Sequence, residues 1–285
     1  MTAVTARAAG VADVWVASPR PALVTLAAAW VAGADALLAV GGAHAIGALA
    51  YGAGPVPRVD VIVGPGNRWV TAAKQLVAGQ VGIDMLAGPS ELVVLADGDA
   101  DAARIAADLL GQAEHDPDAR PILVTWDPAL PGRVDAALAA QLATLPTAVV
   151  AREAVANGFA VVCRDDAEAL AVCNRLAPEH LEVLTADAER HVAGLRHYGG
   201  LFVGGASAEV FGDYGVGPNH VLPTGTAARF SGGLNVLHFS RVRTWLRLDD
   251  ASLELPGLVA DAAAFARLEG LEAHARSAED RRRQS

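Results

Sequence analysis

The sequence predicts an α/β fold in which helices cover parallel sheets. Short runs rich in β-branched residues alternate with Ala- and Leu-rich stretches of helical period along most of the chain. Gly-rich junctions stand where two of the predicted strands give way to helices. Because such alternation joins strands through crossover helices, we expect the sheets to be parallel.

The predicted elements form two α/β units and a helical segment. In residues 1–87, the predicted strands are 14–16, 36–40 and 59–63, and the helices are 22–32 and 69–78. In residues 88–235, the predicted strands are 91–95, 122–125, 160–163, 181–184 and 201–203, with a helix over 101–114. Residues 236–285 are predicted to be mainly helical, with a helix over 257–275.

Composition restricts the possible functions. The 285 residues are enough for about two domains, and 53% of them are hydrophobic. A net charge of −10 argues against nucleic-acid binding, which needs clustered basic residues. Two cysteines do not make a disulfide framework. The sequence contains neither a long uncharged apolar run nor a signal peptide, so we expect a cytoplasmic protein that does not bind membranes.

Two glycine-rich junctions are candidate anion sites. Gly41-Gly42-Ala43 and Gly64-Pro65-Gly66-Asn67 each follow a predicted strand. Glycine lets backbone N–H groups approach a ligand there, and the helix dipole favours anions. Neither junction matches the full dinucleotide fingerprint, so an ordinary strand-to-helix turn is an equal alternative.

Gln112 and His115 are candidate metal ligands. They are three residues apart at the end of a predicted helix, which places both on one face. Glutamine is an uncommon zinc ligand, so the pair is also compatible with a helix end that bonds to its own surroundings.

Glu179 and His180 are candidate acid/base residues. They follow Pro178, which ends the preceding helix. A glutamate that takes a proton from water beside a histidine that takes one from an alcohol is suited to acid/base catalysis. A solvated loop pair is the alternative.

The segment 211–220 is the most site-like part of the chain. It combines three glycines with Asp213 and His220, a composition typical of backbone that lies against a ligand. His274, by contrast, has only the pattern of a polar helix residue.

Taken together, these motifs resemble histidinol dehydrogenase. The matching motifs occur in the family order, from about residue 1 to about residue 276. They are Gly64-Pro65-Gly66-Asn67, Ala87-Gly88-Pro89-Ser90-Glu91, Gln112-Ala113-Glu114-His115, Ala177-Pro178-Glu179-His180-Leu181-Glu182, Gly212 to His220, and Glu269-Gly270-Leu271 with His274. The resemblance implies two Rossmann-like parallel-sheet domains: a dinucleotide domain in 1–87 and a zinc- and substrate-binding domain in 88–235.

The resemblance also implies an activity and the residues that perform it. The family oxidises L-histidinol through an aldehyde to L-histidine with two NAD, in the last steps of histidine biosynthesis. Glu179 matches the base that activates water, and His180 matches the base that takes the alcohol proton. The positions that match zinc ligands, with one zinc ion per subunit, are Gln112, His115, Asp213 and His274. The positions that match substrate contacts are Ser90, His180, His220, Glu269 and the four zinc ligands.

The cofactor and the oligomer are likewise implied by the resemblance. His44 and Asn67 match positions near the NAD, although the family usually has glutamine at the first. A histidine cannot both donate and accept through one planar amide, so NAD affinity is expected to be lower or unchanged. The family is a homodimer with shared sites, in which residues 236–285 would reach into the partner.

The length of the chain leaves alternatives open. The sequence resembles the family without its N-terminal third, so the dinucleotide domain is expected to lack its first strand and turn. The alternatives are a related zinc- and NAD-dependent alcohol dehydrogenase acting on another small polar alcohol, and an inactive truncated zinc-binding remnant.

Overall fold

The computed structural model describes residues 1–253 and 257–281. It divides into two compact units, Met1–Ser240 and Arg241–Ser285. The predicted domain boundaries near residues 87 and 235 stay predictions.

The first part of the larger unit alternates strands and helices as predicted. Its strands are β1 (Trp15–Ala17), β2 (Ala36–Leu38), β3 (Val61–Ile62) and β4 (Gly82–Ile83). Its helices are α1 (Thr2–Ala8), α2 (Leu23–Val31), α3 (Gly42–Tyr51) and α4 (Arg68–Val77). β1 pairs with β2 and β3 pairs with β4, both in parallel. The sequence analysis did not predict β4, which is too short to show a period.

The remaining strands of this unit form one parallel sheet. They are β5 (Glu91–Ala96), β6 (Arg120–Thr125), β7 (Phe159–Val162), β8 (His180–Leu184) and β9 (Gly200–Val203). They pair in the order β7-β6-β5-β8-β9. The helices that connect or follow them are α5 (Ala102–Ala113), α6 (Leu130–Leu142), α7 (Ala148–Asn157), α8 (Asp166–Leu176), α9 (Ala188–Val192) and α10 (Val210–Asp213). Parallel pairing throughout confirms the predicted fold class.

The central strand β5 joins two apolar cores, because successive side chains of a strand point to opposite faces. Leu92 and Val94 pack with residues of α5, α6 and α7. Val93 and Leu95 pack with Leu181 of β8 and with residues of α8. Every residue of β5 is buried, as expected of a parallel strand covered on both faces.

Residues after β9 complete the larger unit with little regular structure. Beyond α10 they form two short 3₁₀ turns, Ala227–Arg229 and Val236–Phe239. Val221 and Leu234 are buried against Met85, so this segment has its own apolar contacts.

The smaller unit is helical, as predicted. It contains α11 (Asp250–Leu253), α12 (Leu258–Leu268) and α13 (Glu272–Arg281). The single helix expected over 257–275 is interrupted because Gly270 adopts a left-handed conformation, with φ of 76°. In the described residues, none of the helices is both long and apolar enough to span a membrane.

Leu95→Ala should lower the free energy of unfolding by about 2–5 kcal/mol, because Leu95 is fully buried between β8 and α8. Val149→Ala is the control: Val149 is 77% exposed, and its truncation should change stability by less than about 0.5 kcal/mol. Urea unfolding of the two variants measures both values. Equal stabilities would contradict the assignment of Leu95 to the core.

Candidate active site

Glu179 and His180 lie at the start of β8 because the chain turns sharply there. Ala177 ends α8 in a left-handed conformation, with φ of 44°, and Pro178 prevents the helix from continuing. Both Glu179 and His180 are buried. The solvated loop pair that was the alternative for these two residues therefore does not occur.

The backbone of Glu91 binds both of these side chains. Its N–H donates to Oε2 of Glu179 at 3.1 Å, and its carbonyl lies 3.2 Å from Nδ1 of His180. A carbonyl can only accept, so Nδ1 of His180 carries the proton and Nε2 is left as an acceptor. The arrangement follows from the parallel register, in which Leu92 is opposite His180.

Burial is the main cause of the pKa shifts of the pair. It raises the pKa of Glu179 to about 8; charges on Glu91 and Glu209 add to this, while hydrogen bonds from the Glu91 N–H and the Ser90 side chain oppose it. Burial lowers the pKa of His180 to about 4, helped by His115. At neutral pH the imidazole is therefore neutral and able to accept a proton.

Asp213 and His220 lie on the same side of the site as His180. Oδ1 of Asp213, at the end of α10, is 4.0 Å from Nδ1 of His220. One ligand atom each from His180, Glu209 and Asp213 lies within 4.8 Å of the other two, a spacing that suits a metal ion. Nε2 of His180 is 3.6 Å from Oε1 of Glu209. The sequence analysis missed Glu209, although it stands one helical turn before Asp213.

Gln112 is the penultimate residue of α5, whereas His115 lies two residues beyond the end of this helix. Gln112 is buried, and in the described part of the chain its Oε1 has no hydrogen-bond partner. Such an atom costs about 1–3 kcal/mol unless something binds it. A metal ion would satisfy this oxygen, so Gln112 fits a role as a zinc ligand. His115 is exposed just beyond the helix, and its charge contributes to the lowered pKa of His180.

A cavity of about 300 Å³ opens beside His180 of β8. His180, Asp213 and His220 line it together with Phe202. The ring of Phe202 lies so close to Gly212 that a Cβ there would be 2.9 Å from it. The volume is at the small end of ligand pockets, which suits a small polar substrate.

A second layer of buried carboxyl groups lies behind the cavity. Oε1 of the fully buried Glu182 accepts the N–H of Glu209 at 2.7 Å. Burial raises the pKa of Glu182, and the negative charges of Asp108 and Glu209 raise it further. No local pattern marks these carboxyl groups, because Asp108 lies on α5, Glu182 on β8 and Glu209 directly before α10.

The residues expected near the cofactor lie in the first part of the chain. His44 is exposed in the first turn of α3, whose N-terminus has no side-chain cap. Gly42, with φ of 66°, faces open space there. The uncapped N–H groups and this space suit a dinucleotide pyrophosphate. Asn67 caps α4 by accepting from the N–H groups of Trp69 and Val70.

Two predicted site residues belong to the smaller unit. His274 is exposed on α13 and lines a groove with Leu258 and Val259 of α12. Glu269 is exposed directly after α12. The roles of both in the site stay predictions.

Comparison with known proteins gives consistent matches. A sequence model of the histidinol dehydrogenase family matches residues 1–282. A histidinol dehydrogenase of Thermus thermophilus is 52% identical over 99% of the chain, and one of Pseudomonas aeruginosa is 47% identical. A crystal structure of histidinol dehydrogenase from Elizabethkingia anophelis, 33% identical, has a TM-score of 0.89. The chain spans 68%, 64% and 66% of these three proteins, about two thirds of their length.

Glu182→Gln should remove a pH dependence of stability. Folding raises the pKa of this carboxyl group, so the protonated group stabilises the folded state. This contribution is complete when the pH is below the pKa of the unfolded chain, and it is lost as the pH rises through the raised pKa of the folded state. The parent, without metal, should lose up to about 1.4 kcal/mol per pH unit as the pH rises from about 5 to about 8.

The glutamine of the Glu182→Gln variant resembles the protonated carboxyl group. The free energy of unfolding of this variant should therefore change less with pH, and near pH 8 it should exceed that of the parent. Denaturant unfolding at several pH values measures this. Glu189→Gln, on the exposed side of α9, is the control and should keep the parent profile. Identical profiles for Glu182→Gln and the parent would contradict the prediction.

Proposed function

The chain belongs to the histidinol dehydrogenase family, and we propose that it oxidises L-histidinol through an aldehyde to L-histidine with zinc and two NAD. The observation that carries the proposal is the double contact of Glu91, whose backbone holds both Glu179 and His180 beside Asp213. His180 lines the cavity, and the backbone of Glu91 that they share keeps Glu179 beside it.

His180 is the base for the alcohol proton. Its Nδ1–H is bound by the carbonyl of Glu91, so Nε2 would accept the alcohol proton. Bound NAD would supply the hydride acceptor. The lowered pKa keeps Nε2 unprotonated at neutral pH. Phe202, with its ring centre 6.1 Å from that of His180, packs beside the imidazole.

Glu179 is the base for the second oxidation, in which water adds to the aldehyde. A raised pKa makes its carboxylate a stronger base once it is ionised. Ser90, which opposes the rise in the pKa of Glu179, would also contact the substrate, together with His220 and Glu269.

Gln112, His115, Asp213 and His274 would hold the zinc, one ion per subunit. The unpartnered Oε1 of Gln112 supports the first assignment, and the position of Asp213 in the cavity wall supports the third. Bound zinc would orient the substrate through its amine and imidazole groups. Such an arrangement leaves His180 and Glu179 free of the metal for proton transfer.

NAD would bind across the first part of the chain. The uncapped start of α3, with Gly41, Gly42 and His44, would receive the pyrophosphate, and Asn67 would contact the cofactor. Gly41 is required there because a Cβ would be 2.7 Å from the ring of Pro19.

The functional form would be a cytoplasmic homodimer with shared active sites. His274 and Glu269 belong to the smaller compact unit and would complete the neighbour's site. The first residues of this unit support the proposal, because Val242, Trp245 and Leu246 are more than four-fifths exposed. Apolar side chains in an exposed run are typical of a segment that packs on another subunit.

Purified chain loaded with zinc should form NADH from L-histidinol, and a chelator should abolish the reaction. His180→Asn should lower the rate by at least about 100-fold, because it removes the general base, while zinc stays bound. NADH absorbance and metal analysis measure the two effects. His238→Asn is the control: His238 accepts a hydrogen bond from the N–H of Asn235 and does not line the cavity.

The outcomes separate the alternatives. Turnover of other amino alcohols in preference to histidinol would indicate a related alcohol dehydrogenase. A folded chain that binds zinc without any turnover would indicate an inactive remnant. A rate for His180→Asn within a few-fold of the parent would remove His180 from its role.

A further inference from the structure

A buried ion pair lies next to the glycine turn between β3 and α4. Lys74 of α4 contacts Asp84, which follows β4, and their side chains are 3% and 0% exposed. Moving two such charges out of water costs several kcal/mol per ion, so a buried pair is weak evidence for stability alone. The other partners of the two side chains therefore indicate what the pair does.

Both side chains bind the backbone of one residue, Gly64. Nζ of Lys74 donates to the carbonyl of Gly64 at 3.0 Å, and Oδ2 of Asp84 accepts the N–H of Gly64 at 2.7 Å. Oδ1 of Asp84 also accepts the N–H of Met85 at 2.7 Å. The two polar backbone groups of Gly64 are thus held by charged side chains.

The held residue has a backbone conformation that needs such support. Gly64 has φ of 115°, which residues with side chains rarely adopt. At the other end of the turn, Gly66 packs so closely on Val70 that a Cβ would be 2.5 Å away, and Asn67 caps α4. The turn from Gly64 to Asn67 is therefore fixed at one end by the ion pair and at the other end by α4.

Asn67 presents its remaining donor from this fixed turn. Its Oδ1 is used by the cap, whereas its Nδ2 donates to no other residue in the part of the chain that the structure describes. Asn67 is exposed, so this amide is available to a ligand.

We propose that Lys74 and Asp84 are positioning residues for the dinucleotide, which hold the turn from Gly64 to Asn67 in its binding conformation. The inference rests on the proposed function, because it takes NAD as the ligand of this turn. A turn held before the cofactor arrives loses less conformational freedom on binding, so affinity depends on the pair although neither side chain contacts the cofactor.

The test uses a double variant, Lys74→Met/Asp84→Leu. Replacing a buried ion pair by apolar residues of similar volume is often neutral for folding, whereas removing one partner leaves an unpaired charge. The double variant loses all three hydrogen bonds to the backbone and keeps the net charge.

Arg7→Met/Asp35→Leu is the matched control. Arg7 and Asp35 also form an ion pair that binds backbone groups, the carbonyl of Gly33 and the N–H of Val14, but they do not contact the turn.

Calorimetric titration with NAD should give at least a tenfold higher Kd for Lys74→Met/Asp84→Leu than for the parent. The control variant should bind NAD within about threefold of the parent, and both variants should bind zinc as the parent does. Parent-like NAD affinity in a folded Lys74→Met/Asp84→Leu variant would overturn the inference and leave the proposed function standing. A folded parent that binds no NAD would remove the proposed function and this inference together.

Amide hydrogen exchange of the parent without NAD gives a second test that needs no variant. The Gly64 N–H should exchange slowly, because it donates to a buried carboxylate. Fast exchange at Gly64, at the level of an exposed loop, would also overturn the inference.

Discussion

The pairing of β5 with β8 is the constraint on which the candidate site depends. Parallel register sets Leu92 opposite His180, and so brings the backbone of Glu91 against both proposed bases. The close passage of β9 needs Gly199, where a Cβ would be 2.5 Å from the carbonyl of Glu179. A slip of one residue would turn His180 to the other face of the sheet. The apolar packing of β5 on both faces therefore sets the positions of Glu179 and His180 as well as the fold.

The proposed metal site and the proposed cofactor turn are stabilised in different ways. At the proposed metal site, one ligand atom each from His180, Glu209 and Asp213 lie close together, and Oε1 of the buried Gln112 has no hydrogen-bond partner among the described residues. Buried polar groups of this kind are unfavourable without a cation. At the proposed cofactor turn, the opposite charges of Lys74 and Asp84 neutralise each other. Their hydrogen bonds to Gly64 therefore hold the turn in place before a cofactor binds. Metal binding would therefore relieve an existing repulsion, whereas cofactor binding would use a conformation that already exists.

The sequence predicted the alternation of strands and helices because periodic burial leaves a local pattern. It also predicted that Glu179 and His180 lie in a site, since Pro178 and the strand start are local signals. It did not predict Glu209, or the contact of Lys74 and Asp84 with Gly64, because these join segments whose approach is set by the sheets. The interruption at Gly270 was missed for a different reason: the helical period continues on both sides of it.

We propose that Gln112, His115 and Asp213 bind the metal together with His274, which leaves His180 as a base. Anomalous diffraction at the zinc edge from zinc-loaded crystals tests it most directly. We expect a single peak about 2.0–2.2 Å from Oε1 of Gln112 and a carboxylate oxygen of Asp213, with His180 outside the coordination sphere. A peak coordinated by His180 and Glu209, with Gln112 unbound, would contradict the account.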